Sequence, residues 1–408
     1  MKPGYLSQYF NGVAAKIMSA VEVDILTSNQ HEFNGVEGLR NILGEPSGKV
    51  SYEAQFMYLT DYEDDPVIED GFLTWYDARQ KARIERGVNR HEYRLYFPNN
   101  QSLQCSNAGD LLIIAKKKDN KLLAIIAEKD TSIARQLLWL FGFSDLKHPG
   151  FSVREELETD QDRIEFASRL ILENIGIIVE APPGNWLDDM LSKFNGTFPS
   201  TRGFSKYSRS TLPDLNPREN QDDVLLAWME REEILFRTLE KYLISDRLSK
   251  GFAGDVDSFI AFSLSVQNRR KSRAGYALEN HLEAIFMECN IRYSRTAITE
   301  NNNKPDFLFP GIKEYHDLKF NDLKLTMLGV KSTCKDRWRQ VLSEADRIKE
   351  KHVLTLEAAI STKQTNEMKN RNVRLVVPQK LHFSYSEEQQ KWLFDLKTFI
   401  GMVNDRQK

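Results

Sequence analysis

The sequence predicts an α/β protein in two parts: a C-terminal mixed sheet flanked by helices, and an N-terminal mixed α/β region. Three observations carry this. Apolar runs of strand length alternate with stretches of helical period. A chain of 408 residues exceeds one core at about 150 residues per domain. The second half reads helix, strand, strand, helix, strand, the order of an α/β core.

In the N-terminal half, Leu111–Ala115 and Leu122–Ala127 are strand-length apolar runs. The polar link between them holds Asp119-Asn120, which predicts a hairpin. Ile133–Phe143 reads as a short helix or buried segment. Ile164–Ile175 has a helical period and precedes a strand-like Ile177-Ile178-Val179. Ala181-Pro182-Pro183-Gly184 continues neither helix nor central strand, so the boundary is placed there: residues 1–182, then 183–408. From about 195 to 223 the apolar pattern lapses among Gly196, Pro199, Gly203, Pro213 and Pro217, which predicts an irregular connection. Helical patterning resumes over Val224–Leu243.

In the C-terminal half, Ala274–Glu288 is an amphipathic helix with Leu278, Leu282, Ile285 and Phe286 on one face. Lys304–Gly311 alternates like a strand and stops at Pro310-Gly311. Leu325–Cys334 reads as a buried strand with Lys331 near its end. Asp336–Lys349 predicts a second amphipathic helix, with Trp338, Val341, Leu342, Ala345 and Ile348 inward. Val373–Val377 offers one more strand before Pro378.

Composition removes several function classes. With 41% hydrophobic and 28% charged residues, the chain is ordinary for a soluble globular protein. No apolar run approaches the roughly 18 residues of a membrane helix, so no membrane partner is expected. Lys16, Glu22 and Asp24 interrupt the apolar start, so no signal peptide is expected. Cys105, Cys289 and Cys334 are distant and odd in number, which argues against disulfides or a CxxC metal site and for a cytoplasmic location. No HxH or HExxH spacing occurs, so a zinc enzyme is not indicated. The net charge of −3 speaks weakly against a nucleic-acid coat, but local basic patches are compatible with it.

Four charged residues stand where apolar patterning would not put them. Asp306 heads an apolar strand after Pro305, and Lys331 ends another. Glu344 shares a stripe with Val341 and Ile348. Glu279 lies beside Leu278, one turn before Glu283. Phosphodiester cleavage explains such a set: carboxylates hold a hard divalent cation against the phosphate, and a lysine orients the attacking water. Each residue alone also fits a plain structural role, as a cap, a turn or a solvated charge. The combination carries the reading.

The stretches SVQNRRKSRAG (265–275), KPDFLFP (304–310), GVKSTCKDRWRQVLSEAD (329–346) and VRLVVP (373–378) resemble EcoRII-type restriction endonucleases of the PD-(D/E)xK nuclease superfamily. They come in the family's order with nearly its spacing, and the likeness covers most of the chain from about residue 185. It implies a restriction-endonuclease-like core and a Mg²⁺-dependent type II endonuclease. The implied substrate is double-stranded DNA at a short CC/GG-flanked palindrome (CCWGG-like), cut to leave 5′ phosphates. Asp306 matches the motif aspartate, Lys331 the catalytic lysine and Glu344 the second metal-site acid. Glu279 matches an acid on the preceding helix, and Tyr315 an additional active-site tyrosine. Two residues before Lys331 the chain has Gly329, where most of the superfamily has an acidic ligand; the EcoRII-type subgroup moves that carboxylate onto the following helix, at Glu344.

Lys335, Asp336 and Arg337 match the segment that reads the outer C·G pairs. An arginine fork suits guanine O6 and N7, and an acid accepts from cytosine N4. The alternative is that Asp336 caps a helix and Arg337 is solvated. Arg269, Arg270, Lys271 and Arg273 form a basic cluster before the Glu279 helix, suited to phosphates or simply to solvent. In the N-terminal half Arg79, Lys81, Arg83 and Arg86 form a basic stretch whose alternation predicts cations on one strand face. The resemblance implies there a B3-like barrel, an effector domain that binds a second copy of the site. A target-recognition module of different specificity is the competing reading. A palindrome cut on both strands makes a homodimer the simpler solution. The alternatives to a type II enzyme are a non-cleaving DNA-binding regulator on a nuclease scaffold and an endonuclease directed at modified DNA.

Overall fold

Strands β6 (Leu111–Lys117) and β7 (Leu122–Ala127) form the hairpin that the apolar runs predict, paired antiparallel from Leu111↔Ala127 to Lys116↔Leu122. Asn120 at its turn has φ 71°, a left-handed conformation that asparagine tolerates. All six residues of β7 are buried, which is why the run shows no polar alternation. Around the hairpin lie β1 (Phe10–Ile17), β2 (Glu32–Asn34), β3 (Val50–Leu59), β4 (Val67–Asp77), β5 (Tyr93–Tyr96) and β8 (Ser152–Arg154). The sheet order is β2-β5-β4-β3-β7-β6-β1-β8, antiparallel throughout except for β3 with β7. Phe33, Phe56, Leu73, Trp75, Leu95 and Phe97 fill its core.

The computed structural model describes residues 2–23, 31–62, 65–87, 89–144, 146, 150–179 and 186–408, without the side chains of Lys335 and Asp336. The chain separates into two units, Met1–Ile178 with Ala359–Lys363, and Val179–Ala358 with Gln364–Lys408. The boundary placed at residues 182 and 183 lies outside the described residues. Among the described residues no helix is long and apolar enough to cross a membrane.

In the second unit, helices Leu187–Phe194, Thr201–Ser210, Gln221–Lys250 and Val256–Glu288 precede a five-stranded sheet. Its strands are β9 (Ser294–Arg295), β10 (Phe307–Phe309), β11 (Thr326–Lys331), β12 (Lys351–Thr355) and β13 (Val373–Val376), in the order β13-β12-β11-β10-β9. Strands β9, β10 and β11 run antiparallel, whereas β11, β12 and β13 run parallel, with helix Thr362–Asn370 between β12 and β13. Phe286 of helix 256–288 packs edge-on against Phe307 and Phe309 at 5.1 and 5.3 Å.

Five sequence expectations change. Ile177-Ile178-Val179 is not a strand: Gly176 turns left-handed at φ 77°, and the Ile177 amide donates back to Leu172 O, which caps the helix Phe166–Asn174. The stretch 195–223 contains the helix 201–210, capped by Ser200; it hides from periodicity because Ser205 and Ser208 are buried beside Phe204 and Tyr207. Arg79, Lys81, Arg83 and Arg86 are not on a strand, since Gln80–Arg86 is a helix with Arg79 at its N-cap. Arg269, Arg270, Lys271 and Arg273 do not precede the Glu279 helix but lie on it, because the helix begins at Val256. The segment predicted as a helix over 336–349 is a 3₁₀ helix, Lys335–Ser343, that ends before Glu344. There the backbone extends, and Ala345 follows with φ 49°.

Phe286→Ala removes a fully buried ring from this aromatic cluster. The expected loss is about 3–5 kcal/mol, read from denaturant unfolding of the second unit's transition.

Candidate active site

Strand register brings the motif residues together. Phe307 pairs with Leu328 across β10 and β11, which sets Asp306, just before β10, level with the end of β11. The Val330 amide donates to Asp306 Oδ2 at 2.6 Å, and Lys331 Nζ lies 3.4 Å from the same oxygen. Both side chains are largely buried, at 19% and 15% exposure, so their attraction is screened less than at a surface.

Gly329 has a steric cause. A Cβ built there would lie 2.6 Å from Val341 Cγ1, so the 3₁₀ helix occupies the space that a side chain on this strand would need. Glu344 stands just beyond the end of that helix. Glu344 is half-buried, and its carboxyl is pushed up to about 7 by desolvation; Lys331 opposes this shift and Asp306 adds to it. Glu344 Oε2 is buried and has no hydrogen-bond partner. Asp306, Lys331 and Glu344 therefore form one electrostatically coupled group.

Glu279 borders it. Burial pushes its carboxyl up, and the hydrogen bond from Arg295 pulls it down, with Asp306 and Lys331 also felt. Arg295 on β9 donates to Glu279 at 2.7 Å, to Glu283 at 2.8 Å and to Asn280 at 3.0 Å. Sequence reasoning missed Arg295, because a two-residue strand leaves no pattern. Tyr315 is placed otherwise than Asp306, Lys331 and Glu344: its buried hydroxyl donates to Glu300, 2.7 and 2.6 Å from the two carboxylate oxygens.

The residues expected to contact DNA divide. Arg337 is exposed beside the buried Trp338, while the side chains of Lys335 and Asp336 lie outside the described set. Lys271 is exposed, Arg270 pairs with Glu240 at 2.6 Å and Arg269 stacks over Phe198 at 4.2 Å. Arg273 is a correction: it is buried between the rings of Phe204 and Phe236, at 4.6 and 4.8 Å, and packs the helices instead of facing solvent. In the first unit, Arg79 pairs with Glu92 at 2.6 Å and Arg83 with Asp77 at 3.4 Å. Lys81 and Arg86 are exposed.

Two outcomes follow from this geometry. Gly329→Ala overpacks against Val341 and is expected to lower stability by about 1–3 kcal/mol. Joined to Val341→Ala, the loss should fall short of the two single losses added, which denaturant titration of the four-member cycle measures. Glu344 holds its proton more tightly folded than unfolded, since about 7 lies above the ordinary 4.5. Its contribution to stability is therefore full below about pH 4.5 and is lost as pH rises through about 7. Without divalent metal, Glu344→Gln should raise the unfolding temperature relative to wild type at pH 8 and do little at pH 4.5; equal effects at both would refute the assignment.

Residues 236–400 match the family model described as EcoRII C terminal. The chain is 44% identical over 229 residues to the type II restriction enzyme EcoRII of Escherichia coli, covering 55% of each protein. It is 26% identical over 144 residues to the type II restriction enzyme SsoII of Shigella sonnei, covering 33% of this chain and 46% of that one. The chain thus spans about half the length of these curated relatives. Among solved structures, metal-depleted Ecl18kI in complex with uncleaved, modified DNA aligns at 19% identity and a TM-score of 0.45, over 56% of this chain and 85% of that one. The PspGI–substrate DNA complex aligns at 15% identity and a TM-score of 0.43, over 51% and 94%. Asp306, Lys331 and Glu344 all fall inside the segment that matches the EcoRII C-terminal model.

Proposed function

We propose that the chain is a type II site-specific deoxyribonuclease that hydrolyses double-stranded DNA and leaves 5′ phosphates. The observation that carries this is the grouping of Asp306, Lys331 and Glu344 within a segment that matches the EcoRII C-terminal model, in a chain 44% identical over 229 residues to a type II restriction enzyme. The target proposed from the resemblance is a CC/GG-flanked palindrome (CCWGG-like), with Lys335, Asp336 and Arg337 reading the outer pairs. Lys271, exposed on the same helix as Glu279, and Arg269 are proposed for phosphates, which position a duplex without reading it.

The donor set suits a hard cation. Two carboxylates stand together, and one oxygen, Glu344 Oε2, is buried without a partner. A divalent ion held by two carboxylates would complete its shell with water and phosphate oxygens. Mg²⁺ held by Asp306 and Glu344 would supply Lewis-acid polarisation of the scissile phosphate and a more acidic bound water. The chain's own part is separable from that. Lys331, steered by Asp306, orients the attacking water and offsets charge building on the phosphate. The attack forms a new bond from oxygen to phosphorus while the bond to the 3′ oxygen breaks. Burial around Glu344 and Asp306 keeps the local field strong.

A homodimer fits a palindrome cut on both strands, one site per copy. The first unit, with its exposed Lys81 and Arg86, is the proposed seat of a second DNA site, of B3 type by resemblance. A cytoplasmic location accompanies a DNA substrate and free thiols.

Lys331→Ala should abolish cleavage of supercoiled plasmid in Mg²⁺, and undiminished cleavage would overturn the assignment. Run-off sequencing of the wild-type product ends reads the site and the cut together. Wild-type protein that binds DNA yet never nicks it would favour a regulator on a nuclease scaffold. Cleavage confined to methylated plasmid would favour a modification-directed enzyme.

A further inference from the structure

Glu344 sits on a stretch of chain that cannot hold itself in place. The 3₁₀ helix ends at Ser343, Glu344 is extended, and Ala345 is left-handed at φ 49°. A left-handed alanine is strained and persists only where its surroundings over-determine it. No helical ladder spans this turn, so other segments must fix the direction of the carboxylate.

They do so from three sides. Asn303 Nδ2 donates to Ser343 O at 2.6 Å, and the Ala345 amide donates to Thr299 Oγ1 at 3.4 Å. Lys351, buried at the start of β12, donates to the carbonyls of Glu344 and Ala345, the latter at 2.8 Å. The Asp346 amide donates to Glu300 Oε2 at 3.2 Å, and that same carboxylate receives the Tyr315 hydroxyl. The Arg347 amide closes the set on the Tyr315 oxygen at 3.4 Å. Glu300 is thus the joint where the turn carrying Glu344 meets the short helix Ile312–His316 that carries Tyr315.

We propose that Glu300 and Tyr315 are positioning residues that act through Glu344: their hydrogen-bonded pair clamps the 344–346 turn and so holds the Glu344 carboxylate toward Asp306 and Lys331 for a divalent cation. This rests on the reading of Asp306, Lys331 and Glu344 as the hydrolytic centre. It gives Tyr315 a role that needs no contact with the phosphate. A displaced carboxylate ligand weakens cation binding before it touches the chemistry, and losing such outer partners typically costs about 10–100-fold in metal affinity.

The test uses the full chain with Tyr315→Phe, Glu300→Gln and the double variant. Two readouts are taken: the Mg²⁺ dependence of plasmid cleavage, and the rise in unfolding temperature that Mg²⁺ alone produces without DNA. Both single variants should need about 10–100-fold more Mg²⁺ for half-maximal cleavage, recover turnover as Mg²⁺ is raised, and show a smaller Mg²⁺-induced stabilisation. The double variant should be no worse than Glu300→Gln, because one joint is broken in each. Reduced turnover at every Mg²⁺ concentration, with half-saturation and thermal shift unchanged, would overturn the proposal and return Tyr315 to the reacting atoms. Tyr315→Phe removes a single oxygen and decides the matter if Glu300→Gln fails to fold. Lys331→Ala separates the two levels: full activity in that variant refutes the hydrolytic centre itself. An inactive Lys331→Ala beside wild-type Mg²⁺ responses in Tyr315→Phe and Glu300→Gln refutes the clamp alone.

Discussion

The Val330 amide donating to Asp306 is the bond on which the site depends. It ties the residue before β10 to the end of β11, and it fixes Asp306 Oδ2 within 3.4 Å of Lys331 Nζ. A neutral backbone donor at 2.6 Å holds the carboxylate more firmly than the lysine alone could, since a flexible ammonium stem loses rotamer entropy when pinned. Beneath it, Phe307 and Phe309 are packed against Phe286, so strand and helix cannot shift without opening the core. The largely buried charged pair rests on an apolar foundation.

Glycine at position 329 has physical consequences on both sides of the strand. With glycine at 329, the 3₁₀ helix approaches β11 closely enough for Val341 to occupy the place of a side chain. Glu344 stands on a turn with less intrinsic order than a strand, and its carboxyl is desolvated. A carboxyl held up near pH 7 is poor at standing alone as an anion and well suited to binding a cation that restores its charge. The lost order is made up by Asn303, Thr299, Glu300 and Lys351, four polar contacts from outside the segment.

The helices behind the site contain an unusual share of buried charge. His281 is fully buried, 3.1 Å from Glu232 and 3.1 Å from Arg209, and burial holds its imidazole below the usual range. Arginine only donates, so Nδ1 accepts from Arg209 and the proton of the neutral ring sits on Nε2. Arg273 approaches the same glutamate at 3.9 Å. One basic run in the sequence therefore serves two purposes, with Lys271 turned to solvent and Arg273 turned to the helix interface.

The sequence by itself determined the apolar elements and the chemistry-bearing residue types. The β6–β7 hairpin, the strands around Asp306 and Lys331, and the helix carrying Glu279 follow from apolar runs, turn residues and a period that local physics enforces. It also determined that no carboxylate stands two residues before Lys331. Only the tertiary structure decided that the segment after Lys331 is a 3₁₀ helix that ends before Glu344 and packs Val341 over Gly329. It alone separated Arg273 from its basic neighbours, since periodicity cannot say which face of a long helix meets another helix. The partners Arg295, Glu300 and Lys351 had no sequence signal, for each is a lone charge whose meaning comes from what lies within hydrogen-bond distance in space. Spacing along a chain encodes local backbone structure; the direction of a carboxylate is fixed by long-range contacts.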